Sequence, residues 1–214
     1  METNKGSVIF IGSIEYQPLL FLRIMSLEII KQCYRNPQLT EADYNTICDK
    51  HQNVRFEKGT FLLEESDRLH CYYILLEGVV HSFVNNAQGN QITLNLFQSG
   101  DVVIDVNALF QQKKTVENWQ CLTDVALLKI TFDDFQELFH SIYGFREWGR
   151  TWMANALFEL KERSIEMITW SAAERYKKLL EQKPMLFNCV PLKLIASYLG
   201  ITDTSLSRIR KDYK

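Results

Sequence analysis

Val190-Pro-Leu-Lys-Leu-Ile-Ala-Ser-Tyr-Leu-Gly-Ile-Thr-Asp-Thr-Ser-Leu-Ser-Arg-Ile-Arg-Lys211 is the stretch from which the rest of the chain can be read. Leu192, Ile195, Ala196 and Leu199 recur at helical spacing, and Leu206 and Ile209 do so again three apart. Gly200 stands where a helix needs a residue that takes positive φ without a clash. Thr202 can cap the following helix by accepting a backbone N–H. Ala196 supplies the small side chain that two steeply crossing helices require. The spacing predicts a helix-turn-helix, whose second helix lies in the DNA major groove. An ordinary αα-hairpin is the alternative.

The 214 residues suffice for one large or two small domains, and 46% hydrophobic with 23% charged residues is ordinary globular composition. A net charge of -2 argues against a protein that coats nucleic acid nonspecifically. The charge is uneven, however. From Ala172 onward nine Lys/Arg face four acids, so the tail is +5 and the remainder -7. A basic tail on an acidic body is expected of a phosphate-binding module joined to something else. Cys33, Cys48, Cys71, Cys121 and Cys189 are scattered without CxxC spacing, which argues against a disulfide framework, a zinc site or an iron–sulfur cluster and for a reducing cytoplasm. No apolar run approaches the roughly 20 residues of a membrane span. Val8-Ile-Phe-Ile11 is too short for a signal peptide.

Residues 1–39 read as an N-terminal extension, with a helical run from Pro18 to Tyr34 broken at Asn36-Pro37, and Met25 offers a second start. Thr40-Glu-Ala-Asp43 reads as a helix start. Asn53 to Ile130 is a succession of short β-rich runs separated by Gly and Asn, including a hairpin turn at Asn85–Asn90, which predicts a small barrel or sandwich. Helical periodicity returns at Phe132. A long helix is expected from about Gly144 to Thr169, and its apolar stripe contains Trp148, Trp152, Met153, Ala156, Leu157 and Leu160. Such a stripe has to pack on the β-rich body, on a second copy of the helix, or on both. A further helix opens at Ser171 and is stopped by Pro184.

In this order of parts the chain resembles the Crp/Fnr family of bacterial transcription regulators, closest to the short members common in Bacteroidetes. Three blocks carry the likeness: Arg55-Phe-Glu-Lys-Gly59 with Glu64 and Tyr73–Val79; Ala172-Ala-Glu-Arg-Tyr-Lys-Lys-Leu-Leu180; and Ile195–Thr202 with Ser205–Lys211. Over about residues 40–214 the resemblance implies an α+β protein. A jelly-roll-like double-stranded β-helix of the cyclic-nucleotide-binding type would occupy 40–143, a dimerising helix 144–170, and a helix-turn-helix DNA-binding domain 171–214. It also implies a cytoplasmic homodimer that binds a pseudo-palindromic DNA site, with RNA polymerase as a further partner, and neither an enzyme nor a membrane protein.

The family's ligand chemistry carries over poorly. Members that hold a cyclic nucleotide use a Gly-Glu pair opening a short helix and an Arg-Ser/Thr pair further on. Backbone N–H groups and a guanidinium clamp the phosphate, and the carboxylate takes the ribose hydroxyl. Here Ile104 and Asp105 stand at the first pair, and Thr115 and Val116 at the second. Glu117 adds negative charge, and Lys113 and Lys114 lack the bidentate fork of arginine. The expectation is a degenerate pocket that binds neither cAMP nor cGMP tightly, served by a different small effector or by none. No haem, metal or other cofactor is expected, since His51, His70, His81 and His140 are scattered.

On the second helix Asp203, Thr204, Ser207, Arg208 and Lys211 should face outward. Arg208 matches the family's arginine and is expected to reach guanine O6/N7. Lys193, Ser197, Ser205 and Arg210 are expected on phosphates. Thr204 and Asp203 depart from the family's usual residues, so the target sequence should differ. With the quoted sequence ending at Lys214, a following β-wing is not expected, and tight binding should need a dimer. The competing function is a ligand-binding or protein-interaction module whose helix pair no longer reads DNA.

Overall fold

A computed structural model describes residues 16–212. The short apolar run at Val8–Ile11 lies outside these residues.

The fold is mixed: an antiparallel β-sandwich, a long helix, and a helical C-terminal region. Two helices precede the sandwich, α1 (Tyr16–Cys33) and α2 (Glu41–Asp49). Thr40 opens α2 with reciprocal bonds, its hydroxyl accepting the Asp43 N–H at 3.2 Å and its own N–H donating to Asp43 at 2.8 Å. The second half of α1 does not stand apart as an extension. Ile30 and Tyr34 are fully buried in the same core as the sandwich.

Eight strands follow: β1 (Gln52–Phe56), β2 (Phe61–Leu63), β3 (Cys71–Glu77), β4 (Val80–Asn85), β5 (Gln91–Phe97), β6 (Val102–Val103), β7 (Asn118–Cys121) and β8 (Val125–Thr131). They form two four-stranded antiparallel sheets, ordered β1-β8-β3-β6 and β2-β7-β4-β5. Central β3 and β8 are buried along most of their length, and Trp119 fills the interior with no exposed surface. Gly78 makes the β3–β4 corner at φ 91°, where any Cβ would come within 2.3 Å of the Asp124 carbonyl oxygen. The short helix α3 (Val106–Gln111) interrupts the strands between β6 and β7.

The chain then becomes helical through α4 (Phe132–Ser141), α5 (Tyr143–Thr169), α6 (Ala172–Gln182), α7 (Leu186–Cys189), α8 (Leu192–Tyr198) and α9 (Asp203–Asp212). The four-residue α7 follows directly on the stop at Pro184. At the start of α5, Phe145 and Trp148 are buried against α1, and Trp148 Nε1 donates to the Cys33 carbonyl at 2.8 Å. From Met153 onward one side of the helix is open to solvent, with Leu157, Leu160 and Ile168 63%, 63% and 84% exposed.

A buried polar relay sits where α1, α2 and β3 meet. His51 Nδ1 lies 2.7 Å from the Ile47 carbonyl, so that nitrogen is the donor and Nε2 accepts from Tyr34 OH at 2.8 Å. Tyr34 OH in turn accepts from Tyr72 OH at 2.8 Å. Burial pushes His51 down to about 4. His81, packed on Phe83 and bonded to Thr93 Oγ1 at 3.0 Å, is also lowered to about 4 by burial. Both imidazoles are neutral in the fold and take up protons more readily when unfolded. Stability is therefore fully present above pH 6.5 and falls as the pH drops from about 6.5 toward 4, by up to roughly 3 kcal/mol per histidine. Urea unfolding measured at pH 7.5 and pH 5 should show this loss, and His51→Gln should flatten the dependence.

Candidate functional site

The position expected to clamp a phosphate is closed by the chain's own hydrogen bonds. Asp105 caps α3, accepting the Ala108 N–H at 3.0 Å, and its second oxygen accepts the Thr115 hydroxyl at 2.7 Å. Thr115 Oγ1 also accepts the Glu117 N–H at 3.0 Å, and the Thr115 backbone is tied to Asp67 and Ser66. Glu117 accepts Trp119 Nε1 at 2.9 Å. Burial holds the Glu117 carboxyl above the usual carboxylate range, and the Asp105 charge adds to that rise. Ser82 Oγ, buried beside this carboxylate, reaches it without closing a hydrogen bond.

Other residues expected around the pocket lie elsewhere. Lys113, Lys114 and Val116 are exposed on the loop outside, where Arg68 Nη1 donates to the Gln112 carbonyl at 2.8 Å. Ile104 turns away from Asp105 and lines a cavity against α5. Of the residues expected to clamp a phosphate, the two that are buried, Asp105 and Thr115, are thus a carboxyl group and a hydroxyl bonded to each other, with the Glu117 carboxyl close by. Among the described residues no guanidinium bonds to them. Among the described residues, no group of three or more His, Cys, Asp or Glu is arranged to hold a metal ion.

In the C-terminal region, Ile195, Ala196, Leu199 and Leu206 are buried with Tyr176, Leu179, Leu186 and Val190. Gly200 turns the chain at φ 68°, close enough to α5 that a Cβ would lie 2.7 Å from Met167 Cε. Thr202 Oγ1 accepts the Ser205 N–H at 3.2 Å at the start of α9. With this scaffold, Asp203, Thr204, Ser207, Arg208 and Lys211 all fall on the exposed side of α9, while Ser205 and Arg210 are half-buried at its margins. Lys193 is exposed on α8.

Ser197 is already engaged. Its hydroxyl accepts the Thr93 N–H of β5 at 2.9 Å, so α8 docks on the edge of the sandwich. Arg163 of α5 reinforces this joint, donating to the Leu94 carbonyl at 2.5 Å and lying 4.2 Å over the Tyr198 ring. Lys183 binds Asp101 at 2.6 Å and the Leu96 carbonyl at 3.1 Å. Arg175 donates to the Trp170 and Leu199 carbonyls, and Lys178 pairs with Glu166. Three of the nine cations of the basic tail, Arg175, Lys178 and Lys183, are therefore turned to the protein itself. The charge count alone could not separate them from Arg208 and Lys211. Arg163 lies seven residues after Ala156, in phase with the apolar stripe of α5, and that spacing turns it inward.

Of the α5 residues expected at a dimer seam, Trp148 belongs to its own chain's core, since its ring and N–H are both used by α1. Trp152 and Ala156 are half-buried on the same side. Met153, Leu157 and Leu160 are exposed.

Residues 53–141 match the family described as the cyclic nucleotide-binding domain. No curated protein matches the chain. Among solved structures it is similar to FixK2 from Bradyrhizobium japonicum, at TM-score 0.62 and 17% identity over 76% of this chain and 83% of that one. It is also similar to CLP from Xanthomonas campestris, a c-di-GMP-responsive global regulator, at TM-score 0.60 and 14% identity over 81% and 91%. Thermus thermophilus catabolite activator protein aligns at TM-score 0.53 and 18% identity over 86% and 85%. The chain spans less than half of two cAMP-bound PKA structures that it also matches, 41% and 44% of their lengths. These are likenesses of fold. The order of sandwich, long helix and helical C-terminal region is like that of the catabolite activator protein.

The closed circuit has a measurable consequence. Asp105→Ala removes a helix cap and strands the Thr115 hydroxyl and Ala108 N–H, so it should cost about 2–3 kcal/mol in urea unfolding. Lys113→Ala, on the exposed loop, should stay within about 0.5 kcal/mol of the parent.

Proposed function

We propose that the chain is a cytoplasmic, homodimeric, sequence-specific transcription regulator of Crp/Fnr type, whose sandwich no longer takes a cyclic nucleotide. The observation that carries this is the exposed face of α9. Thr204, Ser207, Arg208 and Lys211 project together from a helix whose other side is buried on its own small core, and no ion pair occupies Arg208 or Lys211 among the described residues. This is the helix-turn-helix arrangement in which a recognition helix presents short polar side chains and arginine to base edges. The fold likeness to FixK2, CLP and the catabolite activator protein supports it.

Dimerisation follows from α5. Met153, Leu157 and Leu160, with Ser164 and Met167 beyond them, repeat at three- and four-residue steps, the spacing of a coiled-coil seam. A contiguous apolar stripe of this kind is costly in water and calls for a partner. A second copy in a parallel pairing would set two α9 helices on one side of the assembly, as a pseudo-palindromic site requires.

A cyclic nucleotide would bring its phosphate negative charge to buried Asp105 and half-buried Glu117, and among the described residues no guanidinium is bonded to either. It would also break the Asp105–Thr115 bond. Isothermal titration with cAMP and with cGMP should detect no binding tighter than about millimolar, and a micromolar dissociation constant for either would overturn the reading.

One observation favours a second reading, in which the helix pair serves protein contact instead of DNA. Ser197, a natural phosphate contact, is held by β5, and several tail cations face inward. Sequencing DNA recovered with the protein from cells separates the two. The regulator reading expects one enriched pseudo-palindromic motif, and Arg208→Ala should abolish its preferred base at one position in each half-site, at a cost of about 1–3 kcal/mol. Recovery of no motif would leave the protein-contact reading in place.

A further inference from the structure

We propose that the cleft between the sandwich and the start of α5 is a binding site for a small, largely apolar, uncharged molecule. Where the nucleotide position is closed, this cleft is open: a cavity of about 320 Å³ bounded by β3, β6, α3, α4 and α5. Voids this large are rare in packed cores, and the volume lies at the lower end of the range of small-molecule sites.

The chemistry of the wall selects the ligand. Tyr72 contributes its ring, but its hydroxyl is donated to Tyr34. Trp148 contributes its ring, but its N–H is donated to the Cys33 carbonyl. Arg150 sits at the edge, largely in water and paired with Glu147 at 3.1 Å. Among the described residues, Trp152 Nε1, a neutral polar atom of the lining, makes no hydrogen bond. A phosphate or a sugar seated on this wall would lose its hydration and find few partners, the Trp152 N–H and, at the water-exposed rim, Arg150. An apolar molecule leaves water at a gain and packs on the rings.

The segment that forms the wall also explains how two sites can be confused. Ile104 and Asp105 are neighbours, yet Asp105 points into the closed circuit and Ile104 into the cavity. A glycine at 104 would remove that wall. Phe110, at the end of the same α3, stands 41% exposed at the cavity and meets Phe135 edge-on at 5.7 Å. Trp152 and Met153 carry the cavity onto α5 at the head of its exposed stripe. A ligand seated there would bias how Met153 packs against a second copy, and this regulatory consequence rests on the homodimeric reading given above.

The test uses the full chain and the uncharged fluorophore N-phenyl-1-naphthylamine. Its emission should rise saturably with one site per chain at micromolar concentration, while tryptophan emission falls because Trp148 and Trp152 border the site. Ile104→Trp, which fills the cavity, and Phe110→Arg, which charges its edge, should each weaken uptake at least tenfold, with urea midpoints recording that both fold. Leu157→Glu, made to disrupt the seam, should keep uptake within twofold of the parent while sedimentation reports a monomer. Absence of saturable uptake overturns the proposal, as does uptake that neither folded cavity variant changes. Uptake that appears only in the Leu157→Glu monomer also overturns it, because the second copy would then be the occupant. The readout contains no DNA, so failure of the regulator reading would show separately in the recovered-DNA experiment.

Discussion

The seating of Trp148 is the contact on which the rest of the molecule depends. Its ring lies 4.4 Å from that of Tyr34 and 5.4 Å from that of Phe145, and its N–H is fixed to α1. Burying an aromatic of this size removes a large apolar area from water, and the part-buried bond to Cys33 satisfies its one polar atom. The helix α5 is thereby clamped at its start, and further along it is tied through Arg163 and Glu166. Its direction determines whether a cleft exists beside Ile104 and where the stripe from Met153 to Leu160 points. It also sets where Arg163 and Met167 meet the C-terminal helices.

Behind this clamp the relay from Tyr72 through Tyr34 to His51 turns three polar side chains into a directional chain that ends on a backbone carbonyl. Each donor has one acceptor, and each buried polar atom in the chain is satisfied. The same economy governs the cassette around Asp105. There a carboxylate, a hydroxyl and a helix terminus satisfy one another. The cleft beside it follows the opposite rule, with its polar atoms engaged elsewhere and its rings left to face empty space. Two neighbouring residues, Ile104 and Asp105, thus divide an open apolar site from a closed polar one.

The joint between the sandwich and the C-terminal region has an apolar part, in which Val79 and Leu96 share one buried cluster with Leu179, Leu186 and Ile195. Around it Arg163 and Lys183 reach backbone carbonyls, and the Ser197 hydroxyl accepts a sheet-edge N–H. These polar bonds are individually modest and partly hydrated, so they orient a joint that apolar burial holds together.

Much of the architecture was legible in the chain itself. Period-2 runs between Gly and Asn turns marked the sandwich. Thr40 and Thr202 announced their helices, because a hydroxyl one step before a helical run has a backbone N–H to accept. Gly200 and Ala196 marked a tight turn between α8 and α9. The outward set on α9 followed from helical geometry alone, since Leu206 and Ile209 fix which side is buried. The replacement of an Arg-Ser pair by Thr115 and Val116 was readable in the same way. Tertiary structure decided the rest, because each remaining point depends on what lies opposite a residue in space. Trp148 and Met153 belong to the same periodic stripe, and only the approach of α1 separates a core residue from an exposed one. Ser197, Lys178 and Lys183 have the composition of a phosphate-binding surface, and only the position of β5, Glu166 and Asp101 reveals that they are occupied. The spacing of residues along a helix fixes which face they share, but the partner of that face is set by chain segments about a hundred residues away.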